Sequence, residues 1–257
     1  MSRLLREKKV ITINETLSFG EKPVMIAGPC TIESYEQFYE TAKGLKAIGV
    51  DVLRGGAFKP RTSPYAFQGL GEEGLEIMSR VGRELNIPVV SELMDETNLA
   101  MFENYVDILQ VGSRNMYNYA LLKVVGRTQK PVILKRGMSA TIHEWIMAAE
   151  YIASHGNHNI ILCERGIRTF DNYTRNTLDL TAVPIMKAET GLPVIVDPSH
   201  GTGRRELILP MSKAALACGA DGLMVEVHYK PEEALCDGDQ SLDLDMYREF
   251  YREVMSK

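Results

Sequence analysis

Cysteine is scarce in this chain: Cys30, Cys163, Cys218 and Cys236 are the only four among 257 residues. Thiols so thinly spread exclude a disulfide scaffold, and no C-x-x-C pair announces a structural zinc. Long hydrophobic runs are missing as well, none approaching the roughly 18 residues of a membrane span. Basic charge is not in excess, since 29 Lys and Arg stand against 34 Asp and Glu, a net −5 with histidine neutral. A general nucleic-acid or membrane-surface binder would usually show the opposite balance. The N-terminal MSRLLREKKV is basic but has no apolar h-region and no small-residue cleavage site, so no secretory signal is expected. No low-complexity stretch and no Pro/Gly/Ser linker offers a place to divide the chain. What remains is ordinary globular composition, 45% hydrophobic and 25% charged, which excludes disorder as the main state. The expectation is one large single-core domain, a cytoplasmic enzyme with reduced thiols.

A short β-branched apolar run recurs, each followed by a loop and an amphipathic helical pattern. The runs are 24-VMIAGPC, 50-VDVLRGGAF, 87-IPVVSEL, 106-VDILQVGS, 131-PVILKRG, 159-NIILCERG, 193-PVIVDPSH and 222-GLMVEVH. Continuous Val/Ile/Leu runs suit strands buried on both faces, as in parallel sheets covered by helices. Helical spacing follows, as in Tyr35, Phe38, Ala42 and Leu45, or Ile142, Trp145, Ile146, Ala149 and Ile152. Eight such units predict an α/β protein, a closed (β/α)₈ TIM barrel over residues 24–257, with an open doubly wound sheet as the alternative. Residues 1–23 form an N-terminal extension in which 10-VITINETLSF reads as a β-hairpin able to plug the bottom of the barrel.

Active sites of such barrels lie at the C-terminal ends of the strands. There the sequence places Cys30, then Arg54 leading to Lys59 and Arg61, then Glu92, Arg114, Lys135 with Arg136, Arg165, His200, and Glu226 with His228. Arg54, Lys59, Arg61, Arg114, Lys135 and Arg165 would make a positive mouth in a negatively charged protein, with Arg168, Arg204 and Arg205 near its edge. Guanidinium and ammonium groups match phosphate and carboxylate oxygens, so a small polyanion is the expected substrate. Cys30, His200, Glu226 and Asp237 are a plausible mixed site for one divalent ion such as Mn, Fe, Co or Zn, with His228 as a rival ligand. Read singly, a strand-end cysteine is a small buried hydrophobe and an exposed arginine a solvated charge. His143, His155 and His158 are given no role. The residues alone reach a barrel that binds a phosphorylated polyanion, with a metal that polarises a carbonyl or positions a water.

The string 59-KPRTSP, with 28-GPC, 112-GSRN, 134-LKRG, 163-CERG, 197-DPSHGTG and 226-EVH, resembles 3-deoxy-D-arabino-heptulosonate 7-phosphate (DAHP) synthase in its compact type Iβ form, without a fused regulatory domain. That resemblance implies a (β/α)₈ barrel that opens the shikimate pathway. Phosphoenolpyruvate condenses with erythrose 4-phosphate and water, and inorganic phosphate is released. It also implies the metal ligands Cys30, His200, Glu226 and Asp237. Arg114, Lys135 and Arg165 are implied for phosphoenolpyruvate, Arg54 and Lys59 near its carboxylate, and Ser113 and Glu92 beside them. Arg61 and Thr62 are implied for the aldose phosphate. Lys59 is the candidate proton donor to the new hydroxyl, with a metal-bound water as its rival; Cys30 and His200 serve catalysis through the metal.

Two other readings compete. The sister 3-deoxy-manno-octulosonate 8-phosphate synthase uses arabinose 5-phosphate and carries a KANRSS-like motif where this chain has Lys59-Pro60-Arg61-Thr62-Ser63. A non-catalytic anion-binding barrel would lack a ligand or the lysine, and none is lost. Cys236 stands just before Asp237, where family members more often have Ser, and suggests either a harmless replacement or a redox pair with Cys30. A homo-oligomer, tetramer or dimer, is a family-level expectation, and no nucleic-acid or membrane partner is expected.

Overall fold

The structure, a computed structural model, describes residues 2–59 and 63–255. An antiparallel hairpin comes first, β1 (Ile11–Asn14) and β2 (Leu17–Phe19). Strand and helix then alternate: β3 (Val24–Gly28), α1 (Tyr35–Ile48), β4 (Val52–Arg54), α2 (Glu72–Leu85), β5 (Val89–Glu92) and α3 (Leu99–Tyr105). The pattern continues with β6 (Ile108–Val111), α4 (Tyr119–Val125), β7 (Val132–Lys135), α5 (Ile142–Ala153), β8 (Ile160–Glu164) and α6 (Ala182–Thr190). The last units are β9 (Val194–Val196), α7 (Pro198–Thr202), α8 (Arg205–Ala217), β10 (Gly222–Glu226) and α9 (Leu244–Met255).

All barrel strands are parallel, and β10 pairs with β3 from Gly222↔Val24 to Glu226↔Gly28, which closes the ring. The open-sheet alternative is thereby excluded. Successive side chains of a strand point to opposite faces, and here the two faces feed two separate cores. Outward residues such as Leu53, Val89, Leu109, Leu134, Leu162, Val194 and Val225 pack under the helices. Inward residues Val24, Ile26, Val52, Val90, Ile108, Ile133, Ile161, Cys163, Ile195 and Met224 fill the lumen. Ile11, Leu17 and Phe19 of the hairpin belong to that second core, so the hairpin stoppers the N-terminal end of the barrel.

Local rules hold the frame. Ser34 caps α1 by accepting from the Gln37 amide, and Thr141 with Glu144 forms a reciprocal capping box on α5. Gly28 lies so close to β4 that a Cβ there would stand 2.1 Å from the Arg54 carbonyl oxygen. Only glycine lets the two strands that carry Cys30 and Arg54 approach at this point. No helix among the described residues is long and apolar enough to cross a membrane.

Candidate active site

The site grows out of the lumen by one more step of the same alternation. Two residues beyond the inward apolar positions stand Arg54 after Val52, Glu92 after Val90, Gln110 after Ile108 and Lys135 after Ile133. Arg165 follows Cys163, Asp197 follows Ile195, and Glu226 follows Met224. A dry apolar plug is thus capped by a layer of charge that opens into a cavity of about 410 Å³. Lys59, Glu92, Ser113, Arg114, Lys135, Arg165, His200 and Asp237 line it. Cys30 and Glu226 lie just beneath, bonded to lining residues.

The 197-DPSHGTG string is a compact device. Asp197 caps α7 by accepting from the His200 amide at 2.9 Å, Pro198 occupies the first turn, and Gly203 ends it in the left-handed region. The same carboxylate accepts from His200 Nδ1 at 2.6 Å and from Lys135 Nζ at 2.5 Å. Ser199 Oγ accepts from the Glu226 amide, tying α7 to β10. With Nδ1 turned to Asp197, Nε2 is the ring nitrogen left toward Glu226 Oε1, 3.2 Å away, and is the atom that would ligate an ion placed there.

Glu226 is wholly buried and accepts from Arg54 Nη1 at 2.8 Å and from Gln240 Nε2. Burial opposes its charge, but His200 and Arg54 hold the carboxyl well below its ordinary range. Asp197 is kept ionised in the same way, burial being outweighed by His200 and Lys135. Cys30 Sγ lies 2.9 Å from Lys59 Nζ, 3.2 Å from Asp237 Oδ2 and 3.3 Å from Cys236 Sγ. The bond to Cys236 and burial push the Cys30 thiol well up. For Lys59, burial is more than offset by the Cys30 sulfur and Glu226, so the ammonium is held above its usual value and stays protonated.

The donor chemistry fits a divalent ion. His200, Glu226 and Asp237 present ligand atoms within 4.8 Å of one another, and so do Cys30, Cys236 and Asp237. Asp237 belongs to both sets and adopts a left-handed backbone (φ 53°), rare for a non-glycine residue. A thiol, an imidazole and two carboxylates suit borderline transition ions better than magnesium or calcium.

Several expected residues stand elsewhere. Arg54 is 6% exposed and donates to Glu226 at 2.8 Å, at the floor of the site beneath the lining residues. Arg136 turns away from the mouth to donate to Glu164 and Asp179. Arg204 pairs with Glu206, and Arg205 donates to the Gly238 carbonyl. His228 is no rival ligand: β10 ends at Glu226, and the imidazole Nε2 lies 3.8 Å from Glu33 while Nδ1 accepts from the Lys230 amide. Arg61 and Thr62 lie outside the described residues.

Three residues of the candidate site escaped the sequence reading. Asp197 was findable, because it continues the lumen alternation and precedes a helix-starting proline. Gln240, which fixes Glu226, and Arg175, which lines the cavity and lies 3.7 Å from Asp237, sit in irregular loops without any periodic signal. Arg165 is 5% exposed and has no ion-pair partner among the described residues. Burial lowers its pKa, with Arg175 adding repulsion against the opposing pull of Asp197. An incoming anion would relieve that situation.

Comparison with known proteins agrees with this geometry. The model of the DAHP synthetase I family matches residues 9–256. Phospho-2-dehydro-3-deoxyheptonate aldolase of Thermotoga maritima is 54% identical over 230 residues, which cover 90% of this chain and 68% of that protein. A 2-dehydro-3-deoxyphosphooctonate aldolase of Geobacter sulfurreducens is 36% identical over 91% of this chain and 92% of its own length. The crystal structure of the Thermotoga maritima DAHP synthase superposes with a TM-score of 0.95 at 50% identity, covering 98% of this chain and 75% of that one. Its truncated form gives 0.89 at 48%, covering 96% and 90%. Barrel, charged rim and motif order thus converge with these relatives, and the chain belongs to the DAHP synthetase I family.

Proposed function

We propose that this enzyme condenses phosphoenolpyruvate with erythrose 4-phosphate and water to give DAHP and inorganic phosphate, in a metal-dependent reaction. One observation carries the reading: two donor clusters that share Asp237, one with Cys30 and one with His200 and Glu226, lie beside the cations Lys59, Arg114, Lys135 and Arg165. A polyanion and a carbonyl activator therefore have adjoining places.

Arg114, Lys135 and Arg165 hold the phosphate of phosphoenolpyruvate, with Glu92 and the Ser113 backbone completing the pocket. Arg61 and Thr62 hold the aldose phosphate. A divalent ion held by Cys30, His200, Glu226 and Asp237 would polarise the aldehyde for attack. C3 of phosphoenolpyruvate forms the new carbon–carbon bond, and Lys59 Nζ delivers its proton to the aldehyde oxygen as that bond forms. Water adds at C2, and C–O cleavage of the resulting hemiketal phosphate leaves the keto product and phosphate, whose charge the same three cations stabilise. Preorganised charge and positioning supply most of the rate enhancement. Residues 24–257 constitute the catalytic barrel and residues 1–23 its N-terminal extension.

Identity of 54% to the heptonate enzyme against 36% to the octonate enzyme, with the Lys59-Pro60-Arg61-Thr62 string, favours the four-carbon aldose. Phosphate release from phosphoenolpyruvate, with erythrose 4-phosphate and arabinose 5-phosphate in parallel and with manganese or excess EDTA, tests the reading. Turnover with the four-carbon sugar only, abolished by chelator, is expected. Turnover with the five-carbon sugar moves the chain to the sister activity, and chelator-resistant turnover removes the metal.

A further inference from the structure

The centre as read above uses one of the two thiols that the fold brings to it. Cys236 Sγ lies 3.3 Å from Cys30 Sγ, and these sulfurs and an Asp237 oxygen all fall within 4.8 Å of one another. His200, Glu226 and Asp237 form the other cluster, and Asp237 is common to both. The two clusters therefore present a sulfur-rich face, with Cys30 just after β3 and Cys236 on the loop after β10, and a nitrogen–oxygen face over the lumen. Cys236 is half-buried and lines the cavity, so an ion arriving through the mouth meets its sulfur directly.

We propose that Cys236 is a fifth donor of the metal centre, a second sulfur that adapts it to thiophilic divalent ions such as zinc, cadmium and cobalt. This extends the metal reading given above and rests on it. Two thiolates on one ion, each about 2.3 Å from it and about 110° apart as seen from it, stand about 3.8 Å apart. The observed 3.3 Å separation needs to open by only about half an ångström, and Cys236 sits on a loop rather than in a strand. Extra negative charge has counterparts in place: Lys59 Nζ is 2.9 Å from Cys30 Sγ, and Arg175 Nη1 is 3.7 Å from Asp237. Soft sulfur ligands select for soft ions, whereas manganese is satisfied by the imidazole and carboxylates. The expected consequence is a wider gap between cadmium and manganese affinities than a single-thiolate centre would show.

Cobalt(II) titration of the metal-stripped, reduced full-length protein tests this, because each thiolate bound to cobalt contributes near-ultraviolet charge-transfer intensity. Cys236→Ser keeps the size of the side chain, and its thermal melt verifies folding. The expected result is that Cys236→Ser and Cys30→Ser each lose about half the band per bound cobalt and the double variant loses all of it. Cadmium affinity of Cys236→Ser is expected to fall at least about tenfold while manganese affinity changes less than about twofold. A Cys236→Ser spectrum superimposable on the wild type, with Cys30→Ser abolishing the whole band, overturns the second-sulfur role and leaves the centre standing. Equal losses of cadmium and manganese affinity also overturn it. A wild-type protein that binds cobalt without any such band, or not at all, overturns the metal reading itself.

Discussion

Asp197 is wholly buried, yet it accepts from His200 twice and from Lys135 once. Its replacement by Asn keeps the shape but removes the charge that fixes the imidazole and steadies the lysine. Loss of such an outer partner typically costs about 10–100-fold in metal affinity or activity. Asp197→Asn is expected to fall in that range, measured by isothermal titration with manganese and by kcat/KM. Lys59 has a different test. Lys59→Met is expected to lower kcat about 10²–10⁴-fold while both substrates still bind, the loss of a general acid. Near-full kcat would end its role as proton donor. Away from the site, Asp179 reports on pH. Burial alone would raise its pKa, but the hydrogen bonds from Arg136 and Thr181 hold the carboxyl below its ordinary value. A depressed carboxylate stabilises the fold above its unfolded pKa of about 3.9 and ceases to as pH falls through the folded value. Asp179→Asn is therefore expected to weaken the protein at neutral pH and to flatten its acid-unfolding limb below about pH 4, followed by circular dichroism.

At the scale of elements, the hairpin separates stability from chemistry. Phe19 is fully buried in the lumen cluster, at the end of the barrel opposite the charged layer. Phe19→Ala is expected to destabilise by about 3–5 kcal/mol in urea unfolding, with kcat per folded molecule unchanged, because the cavity it leaves touches no active-site residue. The barrel strands were legible because burial on both faces makes them continuous Val/Ile/Leu runs, and the hairpin because two short β-rich stretches flank a polar turn. Loops were not: Arg175 and Gln240 reach the centre from segments whose paths no periodicity records. His228 misled for a related reason, since alternation holds only while the strand lasts, and β10 stops at Glu226.

At the scale of the whole molecule, the proposed ion would couple to the fold. An ion held at about a hundred times its dissociation constant adds about 2.7 kcal/mol to the folded state. For a domain of this size that raises the melting temperature by about 5–10 °C, so excess EDTA is expected to lower the melt by that amount in differential scanning fluorimetry. No shift would mean that the donors bind nothing tightly.

The ring closes where β10 meets β3, and the donors proposed for the ion straddle that seam, from Cys30 beside the first barrel strand to Asp237 beyond the last. Synthesis delivers these two ends far apart in time. Any nascent chain that stops short of residue 237 has the cysteine without the full set of carboxylates, so it would lack the complete donor set proposed for the ion. Acquisition of the proposed metal would then act as a completion mark, which ribosome-bound fragments of graded length would display as an abrupt onset of retention once residue 237 has emerged.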